Sequence, residues 1–140
     1  MFWDSSALVP LLVMEEASRA AVALLRGDPE PAAWWGTPVE CASALHRRRR
    51  EGRLSAAALG EGLTRLHDLT EDLDLVAPTP WLRQRASALL AGHPIRAADA
   101  LQLAAALAWR GEADGGEAFV CLDERLREAA QREAFVLRPA

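Results

Sequence analysis

The chain has 140 residues, which suits one domain able to bury a core without disulfides. At 51% hydrophobic and 26% charged it is no disordered chain, and no apolar run approaches the ~18 residues of a membrane span. A net charge of −4 argues against a protein that coats nucleic acid over its whole surface, but not against one that grips it locally. Every basic residue is Arg, which reads as the codon bias of a GC-rich genome rather than a functional choice. The two cysteines, Cys41 and Cys121, are too few for a disulfide scaffold and read as small buried apolar residues. Met1-Phe2-Trp3-Asp4 has no basic n-region, so the expectation is a cytoplasmic protein without a signal peptide or membrane partner.

In chain order, residues 1–4 read as a strand ending in an acid. Ser5 or Ser6 is placed to cap a helix over 7–13, and 15–26 reads as a second helix. Gly27-Asp28-Pro29 is a turn, and 32–36 is a strand. Thr37-Pro38 opens a helix to about residue 51, with Thr as cap and Pro at the first helical position. Ser55 caps the next helix, whose stripe is Leu59, Leu63, Leu66 and Leu69; Gly60 and Gly62 suggest an early break. A short strand at 73–76 is closed by Pro78 and Pro80. Helices follow at 81–90 and 95–109, the latter apolar on most sides and therefore central. A loop at 111–116, a strand at 119–122, a helix at 124–131 and a strand at 134–137 complete the chain.

Apolar strands alternating with helices predict an α/β fold of three layers, α/β/α, around a parallel sheet of four to five short strands. The whole of 1–140 forms one domain in this reading, with a helical hairpin at about 38–70. Ligands of such sheets bind at the carboxyl ends of the strands.

Four acids stand out under that rule. Asp4 ends the first strand, Asp123 follows the strand at 119–122, and Glu40 lies in the first turn after the strand at 32–36. Asp99 interrupts an apolar helical run, where a charge is costly unless paired or bound to metal. Each also has a plainer reading: Asp4 and Asp123 as helix caps, Glu40 as a dipole-favoured acid, Asp99 as a partner of Arg96. Together they form a carboxylate set suited to Mg²⁺ or Mn²⁺. His46, His67 and His93 show no zinc-ligand spacing.

The segments Phe2-Trp3-Asp4-Ser5-Ser6-Ala7-Leu8, Thr37-Pro38-Val39-Glu40-Cys41-Ala42-Ser43-Ala44-Leu45, Ile95-Arg96-Ala97-Ala98-Asp99-Ala100-Leu101-Gln102-Leu103-Ala104 and Phe119-Val120-Cys121-Leu122-Asp123-Glu124-Arg125-Leu126 resemble, in order and spacing, the motifs of PIN-domain proteins. The closest resemblance is to VapC-type toxins of toxin–antitoxin pairs, and it covers essentially the whole chain. It implies that Asp4, Glu40, Asp99 and Asp123 form an acidic Mg²⁺ or Mn²⁺ site, supported by Ser5 or Ser6. It implies an endoribonuclease that cuts RNA by metal-activated water attack, leaving 5′-phosphate and 3′-hydroxyl ends. It also implies an antitoxin protein partner, held by the helical hairpin, and a homodimer. One departure is Cys121, where the family usually carries Thr or Ser.

Arg47, Arg48, Arg49 and Arg50 form the only basic cluster. They span a full helical turn and cannot share a face, so they read either as a solvated helix end or as contacts to RNA or an acidic partner. Trp34 and Trp35 are adjacent on a strand and should face opposite ways, one into the core; an outward one could stack a base. Trp81 and Trp109 are expected between helices. Alternatives are a PIN ribonuclease of RNA processing without an antitoxin, or a non-catalytic interaction module. An aspartyl-nucleophile phosphatase is disfavoured, because position six is Ser6 and the chain has no Lys.

Overall fold

The structure, a computed structural model, describes residues 1–113 and 115–140; position 114 of the expected loop at 111–116 lies outside them. Twelve elements follow in order among the described residues: β1 (Phe2–Trp3), α1 (Ser5–Leu12), α2 (Ser18–Arg26), β2 (Ala32–Trp34), α3 (Thr37–Arg50), α4 (Ala56–Asp72), β3 (Asp74–Val76), α5 (Pro80–Gly92), α6 (Ala97–Arg110), β4 (Ala118–Val120), α7 (Glu124–Arg132) and β5 (Val136–Arg138). The strands form one parallel sheet in the order β3-β2-β1-β4-β5, with Phe2 paired to both Ala32 and Phe119. The expected three-layer α/β/α architecture is therefore present, with all five strands.

Side-chain alternation builds the two outer layers. Phe2, Ala32 and Phe119 point to one face and pack with Leu82, Leu103 and Leu126 of α5, α6 and α7. Trp3, Ala33 and Val120 point to the other, against Leu8, Cys41, Leu45 and Leu66 of α1, α3 and α4. A buried indole needs a partner for its N–H. Asp28, in the turn after α2, supplies one, accepting from Trp3 Nε1 at 2.8 Å. No helix among the described residues is long and apolar enough to cross a membrane.

Four local expectations need correction. Thr37 does not cap α3 but is its first residue, so Pro38 is second; Gly36 holds the cap position, and the Thr37 hydroxyl accepts from Gln102 instead. Neither Ser5 nor Ser6 caps α1. Asp4 does so, accepting from the Ser6 amide at 2.9 Å, because the helix already begins at Ser5 and Asp4 is the extended residue just before it. The helix at α4 is not broken early: it runs unbroken through Gly60 and Gly62. Gly62 is there for close packing, since a Cβ would meet Leu45 Cδ1 at 3.2 Å and Val13 Cγ1 at 3.3 Å. Trp81 is not sandwiched between helices but stands 52% exposed at the start of α5. Trp109 packs on the sheet, tilted against Phe2 of β1 with ring centroids 6.1 Å apart.

The two α4 glycines should separate propensity from packing. Gly60 has open space around a built Cβ, so Gly60→Ala should raise stability by about 1 kcal/mol. Gly62→Ile should overpack the α3–α4 contact and cost about 1–3 kcal/mol. Urea unfolding of the two variants measures both.

Candidate active site

The sheet order reverses beside β1, with β2 and β3 on one flank and β4 and β5 on the other. A crevice is expected at the carboxyl ends there. Asp4 leaves β1 at that point, only 4% exposed, and its amide extends the ladder to Val120 O at 2.9 Å. Asp4 Oδ2 accepts from the Ser6 amide and from Ser6 Oγ. Ser6 Oγ in turn accepts from the Leu122 amide at 2.9 Å, joining the acid to the end of β4. The Cys121 thiol lies 3.6 Å from Asp4 Oδ2 and 3.6 Å from Ser6 Oγ.

Glu40 is half-buried in the first turn of α3 and is held by two neighbours. Ser5 Oγ donates to its Oε2 at 3.1 Å, and Gln102 Nε2 donates to its Oε1 at 3.3 Å. Gln102 also donates to Thr37 Oγ1 at 3.0 Å, and both Gln102 and Thr37 are fully buried. These two residues went unrecognised as site residues at the sequence level. The available signal was a glutamine in the Ala/Leu run of α6, since a buried amide must find partners.

Burial raises the Asp4 carboxyl above its ordinary value, against the lowering pull of its Ser6 bonds. Burial likewise pushes Glu40 up to about 7, and the charges of Asp4 and Asp99 add to the rise. Asp4 and Asp99 are thus each near enough to Glu40 for their charge to act on it. Burial also holds the thiols protonated, with Cys41 pushed up to about 12 and Cys121 raised further. Neither thiol is a ready soft-metal ligand.

The remaining sequence candidates divide. Asp99 sits at the third position of α6, where its Oδ2 accepts from the Arg96 amide at 3.0 Å. Its contact with Arg96 is thus through the backbone, with no guanidinium ion pair among the described residues. Asp123 is exposed and caps α7, its Oδ1 accepting from the Leu126 amide at 3.0 Å. Of the four arginines, Arg47 and Arg48 line a cleft of about 670 Å³ together with Ser5, Ser6, Glu40 and Ser43. Arg48 pairs with Glu15 at 2.7 Å, whereas Arg49 and Arg50 are exposed and stand outside that lining. His46 and His67 are exposed, and His93 is engaged with Glu133 at 2.9 Å.

Among the described residues, no three Asp, Glu, His or Cys side chains are gathered tightly enough to share one ion. Mg²⁺ does not need three: it keeps several waters and takes one or two carboxylates plus substrate phosphate. The desolvated carboxylates of Asp4 and Glu40, the latter also repelled by Asp4 and Asp99, give oxygen donors that fit such an ion.

No protein-family model matches the chain. Among curated proteins it is 31% identical over 155 aligned positions to Ribonuclease VapC45 of Mycobacterium tuberculosis strain CDC 1551 / Oshkosh, spanning all of this chain and 95% of that one. The same figures hold for Ribonuclease VapC49 of M. tuberculosis strain ATCC 25618 / H37Rv. Among solved structures, a chain of a toxin–antitoxin complex from Klebsiella pneumoniae superposes with a TM-score of 0.66 at 17% identity, covering 96% of this chain and 94% of that one.

The raised Glu40 carboxyl has a consequence for stability. A folded-state pKa above the unfolded one gives support that is complete below the ordinary value of 4.5 and is lost as pH climbs through about 7. Glu40→Gln should therefore melt above wild type in EDTA at about pH 8, and the gap should close at about pH 4. Calorimetry at the two pH values reads the difference directly.

Proposed function

Because the chain belongs to the VapC ribonuclease family, we propose that it is a Mg²⁺- or Mn²⁺-dependent endoribonuclease, the toxin of a toxin–antitoxin pair. The observation that supports this reading best is the buried Asp4 and half-buried Glu40 at the switch point of a parallel sheet, both raised by burial, with the charges of Asp4 and Asp99 acting on Glu40. Bound there, the ion would supply an activated water and neutralise charge on the leaving oxygen.

The chain's own residues prepare that chemistry. Asp4 and Glu40 would hold the ion, with Asp99 adding negative charge. Ser6 fixes the Asp4 carboxylate, and Ser5 and Gln102 fix that of Glu40 from opposite oxygens. Asp123 stands at the same edge, and its second oxygen carries no hydrogen bond among the described residues. No histidine is placed to act as a base, and metal-assisted hydrolysis needs none. Arg47 and Arg48, lining the cleft next to Glu40, would hold the phosphates on either side of the cut.

The toxin reading adds an acidic or amphipathic antitoxin segment as partner. A second cleft of about 520 Å³ supports it. Val13, Met14, Arg53, Leu54, Glu61 and Arg65 line it along α1 and the α3–α4 pair, and it shares Glu15 and Arg48 with the first cleft. A chain lying there could reach the acids. The protein is further proposed to act in the cytoplasm as a homodimer, for which exposed Trp81 offers an apolar contact; light scattering at micromolar concentration reads the dimer.

Cleavage of cellular RNA should require Mg²⁺ or Mn²⁺ and stop in EDTA. Asp4→Ala, Glu40→Ala or Asp99→Ala should abolish it with the fold retained. Gln102→Leu, which removes a partner of Glu40 rather than a ligand, should cost about 10–100-fold. Undiminished cleavage in EDTA contradicts the mechanism.

A further inference from the structure

β2 ends at Trp34, which is 7% exposed and belongs to the core; the next residue, Trp35, stands 58% exposed. A large apolar ring left in water at a functional edge calls for an explanation. The backbone that carries the ring is held in place. The Trp35 amide donates to Val76 O at 3.1 Å, tying it to the end of β3. Its indole meets that of Trp34 edge-on, with centroids 6.5 Å apart and planes at 68°. Gly36 closes the turn under it, and a Cβ there would lie 2.6 Å from Trp34 Nε1, so this backbone is packed down on the buried indole.

The position relative to the acids is equally fixed. The Glu40 amide donates to Gly36 O at 3.2 Å, so Gly36 is one helical turn, ~6 Å along the axis, from Glu40, and Trp35 is the residue directly before it. Val39, also exposed, lies between them. Beyond Glu40 the cleft wall continues through Ser43 and Ala44 to Arg47, ~10 Å farther along α3. The order along this edge is aromatic ring, carboxylates, guanidinium groups. That is the order a single strand needs when a base is to be stacked on one side of a cut and a phosphate held on the other.

We infer that Trp35 is a base-stacking residue that positions an unpaired nucleobase of single-stranded RNA beside the bond to be cut. This rests on the ribonuclease reading and deepens it. Stacking accepts any base with an open π-face, so it selects for an unpaired base rather than a particular letter. A base inside a duplex presents no free face, so the same surface selects against paired RNA.

The test uses the full chain in EDTA, where RNA survives, with a labelled single-stranded oligoribonucleotide and its annealed duplex as probes. Trp35→Ala should weaken single-strand binding by about tenfold and leave duplex binding unchanged, and Trp35→Phe should restore most of the loss. In Mg²⁺ the same alanine variant should raise KM with kcat nearly unchanged, and its melting temperature should match wild type. Equal single-strand affinity for wild type and Trp35→Ala overturns the stacking assignment while leaving the nuclease reading standing. Loss of a dimer in Trp35→Ala by sedimentation, with RNA affinity unchanged, also overturns it and gives the ring to a second copy of the chain. Wild-type protein that neither binds nor cleaves either RNA contradicts the ribonuclease reading itself.

Discussion

Asp4 lies 4% exposed at the end of the central strand, where a carboxylate without counter-charge is among the costliest groups a fold can hold. Much of the local architecture follows from accommodating it. The side chain starts α1 as its N-cap, so its charge meets the positive end of that helix. Ser6 supplies two donors, and the same hydroxyl accepts from Leu122 and ties β4 to the site. Cys121 adds a weak thiol donor from the far strand. Even so, burial keeps the carboxyl raised, and Glu40 with Asp99 beside it makes the deficit of positive charge larger. A fold optimised for stability alone would replace such a group; a site built for a divalent cation would retain it.

Much of this was legible in the sequence because the physics is local. Apolar strands between amphipathic helices dictate a covered parallel sheet, and an acid directly after an apolar strand must emerge at its carboxyl end. Asp4, Glu40 and Asp123 could therefore be expected at one edge before any coordinates, while Asp99 stood out separately as a charge in an apolar helical run. What stayed hidden depends on pairs distant in the chain. Gln102 reaches Thr37 and Glu40 across 65 and 62 residues, and periodicity says nothing about such meetings. Gly62 looked like a helix breaker because propensity is a property of one residue. Its role appears only with Leu45 and Val13 packed against it. The run Arg47–Arg50 showed that four residues could not share a face. Only the fold selects Arg47 and Arg48 as the pair on the cleft.

The two edges of the sheet differ in a way that bears on the chemistry. At the carboxyl edge Asp4 is buried and Glu40 half-buried, fastened by hydroxyls and an amide, with arginines on one side and an exposed indole on the other. At the amino edge Asp28, Glu30, Asp72 and Asp74 surround an open cleft of about 630 Å³. Acid content alone does not separate the two edges, since Asp4, Glu40, Asp99 and Asp123 are the same number of acids. At the amino edge Asp72, Asp74 and Glu30 are exposed to water, which screens their mutual repulsion, and Asp28 is committed to the Trp3 indole. What distinguishes the first edge is desolvation, because a cation gains most where carboxylates have lost water and gained no counter-charge.

The central claim is therefore one of location, and anomalous diffraction from crystals grown with Mn²⁺ tests it most directly. The account predicts a manganese peak in contact with the carboxylates of Asp4 and Glu40, and its loss in Asp4→Asn crystals. A peak confined to the Asp28, Glu30, Asp72 and Asp74 edge, or an ordered Asp4–Glu40 pair with no peak at saturating Mn²⁺, would contradict it.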